Sequence, residues 1–147
     1  MSPPLLITAA GLPDAPGAIT VVPNSRTGSS IGLQWVAPAS DQGSPILSYT
    51  LVIVTQNSPD TVAYFGTDLH TVVADLRSGS TYSFRVKSTN IVGDSTWSSV
   101  YQFLIVDVPS QPLNPRIVSY ESTYVTVAWE QPLFNGGQAL TGFKVYS

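Results

Sequence analysis

The sequence predicts an all-β chain: a seven-stranded, two-sheet antiparallel β-sandwich set in a tandem array. Three observations carry this expectation. Apolar residues alternate with period two wherever they are periodic, as in Ile31, Leu33 and Trp35, in Tyr49, Leu51 and Ile53, and in Tyr82, Phe84 and Val86. No window of a dozen residues carries helical three-and-four spacing without an interrupting Pro or Gly, so essentially no helix is expected. Finally, the chain repeats itself. Trp129 follows Trp35 by 94 residues, and the same offset links Pro38 to Pro132, Gly43 to Gly137, Ile46 to Leu140 and Leu51 to Val145. Upstream, Pro16 and Pro112, like Val21 and Ile117, lie 96 apart, which places a two-residue length change between the first and second strands. A period of this size is one small domain.

The strands follow in order from the turn signals between them. The first, 18–23, ends at Pro23-Asn24-Ser25, and the second, 30–36, carries the Ile31-Leu33-Trp35 alternation. The cluster Asp41-Gln42-Gly43-Ser44-Pro45 leads into the third, 46–55, and Asn57-Ser58-Pro59-Asp60 into the fourth, 61–66. The fifth, 70–76, stops at Arg77-Ser78-Gly79-Ser80; the sixth, 80–90, holds Tyr82, Phe84 and Val86; the seventh spans 99–106. Seven short strands at this spacing indicate a sandwich.

Composition narrows the function. In 147 residues, 43% hydrophobic content is enough for a core, but the period divides it among domains. Only 10% of residues are charged and the net charge is −3, so no basic surface exists to neutralise phosphates or anionic lipid. Nucleic acid is excluded as a partner, and so is membrane insertion of this segment, because apolar runs such as Phe103 to Val106 are far too short to span a bilayer. Met1 opens onto Ser-Pro-Pro without the basic segment and apolar core of a signal peptide. With no cysteine, disulfides are ruled out, the compartment is left open, and an antibody-type domain is disfavoured.

Several residues together resemble the fibronectin type III domain family. They are the Pro-rich entry at Pro13 and Pro16, Trp35 followed by Pro38, the Gly43-Ser44-Pro45-Ile46 turn into Tyr49, Leu76 six residues before Tyr82, and Asn90-Ile91-Val92-Gly93-Asp94-Ser95. The Leu76 and Tyr82 spacing is similar to the tyrosine corner, in which a Tyr hydroxyl bonds to backbone a few residues upstream. The resemblance implies a structural core of Trp35, Leu76, Tyr82 and Trp129. It also sets the domain organisation: 1–12 as last strand and linker of a preceding module, 13–108 as a complete module, and 109–147 as the first three strands of a further one. That last part cannot cover its own apolar face of Val125, Val127, Trp129, Phe143 and Val145, so the cover is expected to be β-structure, from the same polypeptide or from another copy. Where integrin-binding members carry Arg-Gly-Asp, this chain reads Val92-Gly93-Asp94, and without the Arg that activity is not expected.

Catalytic and metal chemistry is not expected. The single His70 has no Cys or second His beside it, no Gly-x-Ser-x-Gly elbow exists, and Gly136-Gly137 lacks the context that cradles phosphate. Asp14, Asp94 and Asp107 near the module poles are too scattered for a calcium site. No Asn-x-Ser/Thr acceptor exists either. No cofactor is expected. Trp97, Asp94, Pro109 and Pro112 are the candidates for an inter-domain or partner contact, Trp97 alternatively packing along the last strand. Two prolines in each linker, Pro13 with Pro16 and Pro109 with Pro112, stiffen the joints or simply terminate strands. The expected function is a non-enzymatic structural or adhesive module of a longer extracellular or cell-surface protein, acting as stiff spacer or fibre-forming unit. Its expected partners are neighbouring domains or copies of the same protein, with other proteins and glycans as further candidates. A cytoplasmic scaffold of the giant muscle protein type and a spacer in a secreted polysaccharide-degrading enzyme are the alternatives.

Overall fold

A computed structural model describes residues 2–4 and 9–146. Among them nine strands and no helix form. β1 (Ile19–Val21), β2 (Ile31–Trp35) and β5 (His70–Val73) make one antiparallel sheet in the order β1-β2-β5. β3 (Ser48–Val54), β4 (Thr61–Gly66), β6 (Thr81–Thr89) and β7 (Tyr101–Leu104) make the other, in the order β4-β3-β6-β7. Together these are the seven strands of one sandwich.

Alternation decides which side chains meet between the sheets. The β3–β6 register sets Leu51 opposite Val86 and Ile53 opposite Phe84, while β2 contributes Ile31, Leu33 and Trp35 from the facing sheet. Leu33, Leu51, Phe84 and Val86 are completely buried, and Trp35 is 4% exposed. The Trp35 ring meets Tyr49 edge-on at 6.0 Å and Tyr64 at 5.6 Å, the offset geometries aromatic pairs favour. Leu76 is buried, and the partly buried Tyr82 accepts a hydrogen bond at its hydroxyl from the Arg77 N–H at 2.9 Å. That is the backbone bond of a tyrosine corner, and it ties the start of β6 to the turn before it.

β4 matches its expected span and the other strands end up to three residues inside theirs, for local reasons. β5 stops at Val73 because Asp75 takes the left-handed conformation, φ 57°, in the turn toward β6. β7 begins late because the segment before it meets β6 at Ser95 and Ser98 through one backbone and one side-chain bond each, in place of a regular ladder.

The second repeat departs further from expectation. β8 (Leu113–Tyr120) pairs with β9 (Val125–Glu130) as a two-stranded antiparallel ribbon, and these correspond to β1 and β2. The expected third strand is absent; 141–146 carries none. In the complete module the equivalent β3 bonds to β4 and β6, not to β2, so without a second sheet it has nothing to pair with. The same lack explains Trp129. Expected in a core, it is only half-buried, its ring covered by Phe143 at 5.6 Å on an otherwise open face. Of the strand expected ahead of the first module, residues 5–8 lie outside the described residues and 9–12 form no strand.

Candidate functional site

The pole of the complete module where its entry linker arrives is organised by one amide side chain. Asn90, 2% exposed, follows β6 directly. Its Nδ2 donates to the carbonyls of Gly11 at 2.7 Å and Asp41 at 3.0 Å, and its Oδ1 accepts from the N–H groups of Val92 at 2.9 Å and Gly93 at 3.2 Å. Linker, β2–β3 loop and β6–β7 loop thus share one fully satisfied polar residue, which is the condition under which a buried amide is tolerated.

Beyond that loop, Ser95 and Ser98 stand in for strand pairing along the edge of β6. The Ser88 N–H donates to Ser95 Oγ at 3.0 Å while the Ser95 N–H donates to the Ser88 carbonyl at 2.8 Å. Ser98 repeats the arrangement with Val86, at 3.0 and 2.9 Å. Trp97 sits between the two serines, under the Arg85 guanidinium carbon at 4.6 Å and the Lys87 Nζ at 5.1 Å from its ring centroid. Arg85 is in turn ion-paired with Asp60 and Lys87 with Asp94. The cations are therefore held over the indole by their own counterions, in a stacked polar ladder.

The hydrogen bonds from Lys87, and next from Thr89, hold the Asp94 carboxyl below its ordinary range. A carboxyl depressed in the folded state adds stability that is complete above the ordinary carboxylate range and is lost as pH falls through the folded-state value. Asp94 is half-exposed, so solvent screens the pair and the effect is small. Asp94→Asn should lower the melting temperature slightly at neutral pH, with the difference from the unmodified chain closing below about pH 4. A difference that is constant with pH would contradict the pairing.

The linkers reveal a second arrangement, present twice. The Gly11 N–H donates to the Gln42 carbonyl at 2.9 Å and the Asp14 N–H to the Ser40 carbonyl at 3.0 Å. At the equivalent positions of the second repeat, the Asp107 N–H donates to the Gly136 carbonyl at 2.8 Å and the Ser110 N–H to the Phe134 carbonyl at 2.9 Å. Each linker is thus clamped to the β2–β3-type loop of the repeat it enters. Pro109 and Pro112, flanking Ser110, fix φ on either side of the clamping amide and supply no N–H of their own. Asp107 also holds backward: Oδ2 accepts from the Gly28 N–H at 2.9 Å, on the loop between β1 and β2.

Of the residues singled out in the sequence, Pro109 lies beside Gly136, its nitrogen 3.3 Å from where a Cβ there would stand, and Pro112 lies along the apolar groove of the second repeat with Trp129 and Phe143. Trp97 and Asp94 lie elsewhere, with aromatic, ionic and hydrogen-bond partners Arg85, Lys87 and Thr89 all within their own module. The three carboxylates weighed for calcium are dispersed: Asp14 accepts from Gln42, Asp94 pairs with Lys87, and Asp107 binds Gly28. His70 opens β5, exposed, in register with Gln34. Asn90, Asp107 and the Gly136-Gly137 pair were not assigned structural roles from sequence. Their one legible signal is the match of Gly137 to Gly43 across the two repeats; Asn90 has no counterpart in the sequence.

Comparison with known proteins agrees with this geometry. The model of the fibronectin type III domain matches residues 14–103. Fibronectin type-III domain-containing protein 3A of Mus musculus is 30% identical over 139 residues, covering 92% of this chain and 12% of that protein. Protein sidekick-1 of Homo sapiens is 33% identical over 145 residues, covering 90% of this chain and 6% of its own length. Among solved structures, titin kinase with its flanking domains superposes with a TM-score of 0.57 at 30% identity, over 65% of this chain and 18% of that one. The chain therefore spans a small part of these relatives.

Proposed function

Since this chain belongs to the fibronectin type III domain family, we propose that it is a non-enzymatic structural or adhesive segment of a longer tandem-repeat protein, extracellular or at the cell surface, serving as a stiff spacer. The observation that carries this reading is the linker clamp, repeated with the same two hydrogen bonds at both repeats. A joint made twice in the same way is what an array of fixed geometry needs, and proline at each linker removes the freedom that a flexible tether would keep. Residues 13–108 act as the complete module, and 109–147 as part of a further one, with 1–12 belonging to a module before. On β8 and β9 a groove of about 520 Å³, lined by Ile117, Val127, Trp129, Phe143 and Val145, occupies the place that the second sheet fills in the complete module. β-structure completes it in the working molecule, from the same polypeptide or another copy.

A second reading, an intracellular scaffold of muscle, is favoured by the relatives that include Titin of Drosophila melanogaster, 30% identical over 141 residues and matched over 1% of its length. Both readings predict an extended molecule without catalysis. Small-angle scattering and electron microscopy of the whole natural polypeptide should show a string of sandwich-sized beads at constant spacing. A compact envelope with modules packed side by side would overturn the spacer reading.

A further inference from the structure

The second clamp has a neighbour. The loop Asn135-Gly136-Gly137 lies not only on its own linker but against the turn Ser78-Gly79 of the complete module, between β5 and β6. A Cβ built on Gly137 would stand 2.5 Å from Ser78 Oγ and 2.8 Å from the Gly79 nitrogen, while one on Gly79 would stand 3.2 Å from the Gly137 carbonyl oxygen. A Cβ on Gly136 would collide with the Asp107 carbonyl. Gly79 and Gly137 therefore meet backbone to backbone while Gly136 meets the backbone of Asp107, at φ of 77°, 88° and 78°, and neither Gly136 nor Gly137 has room for a side chain. Ser78 Oγ is buried there, and Asp107 reaches both modules, through its N–H to Gly136 and its carboxylate to Gly28.

We propose that Ser78-Gly79 is a docking shelf for the glycine loop of the next module, and that Asp107 locks the two, so that successive modules sit at one fixed angle. The partner the shelf fits is a loop with two consecutive residues in the left-handed conformation and no side chain on the second. The complete module presents such a loop at its other pole: Gln42 at φ 56° and Gly43 at φ 84° match Gly136 and Gly137, and its linker bonds are the same. That loop thus receives the equivalent shelf of a module placed before it. Repeating one joint generates a regular rod, since the same rotation and translation relate each pair of neighbours.

This rests on the spacer reading but is tested separately. Gly137→Ala is the substitution the shelf forbids, since its Cβ would stand 2.5 Å from Ser78 Oγ and 2.8 Å from the Gly79 nitrogen. In the unmodified chain the residual dipolar couplings of 13–108 and of 113–130 should fit one alignment tensor, whereas in Gly137→Ala they should need two, and Leu133→Ala, on the exposed side of the loop, should leave one. The Asp107 amide, which donates to Gly136, should exchange at least ~10-fold more slowly than an unstructured amide in the unmodified chain and lose that slowing in Gly137→Ala. Two tensors in the unmodified chain, or one tensor retained in Gly137→Ala, overturns the fixed joint. Should Gly137→Ala not fold, the unmodified chain decides alone. A rod held by other contacts would leave the spacer reading intact while failing this test, whereas a compact natural polypeptide with one shared tensor would do the reverse.

Discussion

Replacing Trp35 with Ala should cost the complete module about 3–5 kcal/mol, the range for truncating a large buried aromatic. Stabilities of single domains run to about 5–15 kcal/mol, so the variant should be close to unfolded at physiological temperature. The magnitude follows from position. Trp35 is the last residue of β2, 4% exposed, and bridges the two sheets by packing on Tyr49 of β3 and Tyr64 of β4. Removing it leaves a cavity whose walls belong to different sheets and cannot close over it without breaking strand register. The substitution Trp35→Phe separates ring packing from hydrogen bonding. The indole Nε1 has no hydrogen-bond partner, so Phe forfeits volume but no polar contact, and the cost should be less than half that of Ala. Urea midpoints measured on the two variants test this directly. Equal losses would show that the indole nitrogen matters, and an unchanged midpoint for Ala would remove Trp35 from the core.

How far the sequence could be read depended on whether a position's environment is local. Strands whose alternation is strong, such as β2 and β6, lie within one residue of the spans expected, because period two by itself selects the buried face. Trp129 holds the place of Trp35 in the repeat, three residues before a proline, yet has a different fate, since no second sheet packs on β8 and β9 among the described residues. The missing third strand of the second repeat has the same cause: an edge can be predicted from alternation, but a ladder needs its partner. Gly136-Gly137 illustrates the opposite limit. In sequence it is a turn without a phosphate-binding context, and only the approach of Gly79 and Asp107, from a different module, gives its lack of side chains a purpose. Trp97 was legible as an unusual aromatic but not as a self-contained ladder, because Arg85 and Lys87 read equally well as solvated outward residues of β6.

Asn90 carries the second large expected effect. Asn90→Ala should destabilise the complete module by about 3 kcal/mol, a loss set less by the bonds removed than by the groups left behind. The carbonyls of Gly11 and Asp41 and the N–H groups of Val92 and Gly93 would lose their partner at a site that is 2% exposed, and each unsatisfied buried group costs about 1–3 kcal/mol, partly relieved where water can enter. Because linker and loops converge on this amide, the damage should be directional as well as energetic. Exchange protection of the Gly11 N–H, which donates to Gln42, should fall with it, while the distant Arg77 N–H, held by Tyr82, keeps its protection. The isosteric Asn90→Asp sharpens the test. A carboxylate cannot donate, so it would face the Gly11 and Asp41 carbonyls with negative charge, raising its folded-state pKa above the ordinary value. Its penalty should therefore be full above that raised value and shrink as pH falls through it, when the protonated acid regains one donor. Melting curves of the Asp variant that track the unmodified chain at every pH would show that Asn90 does not hold the pole together.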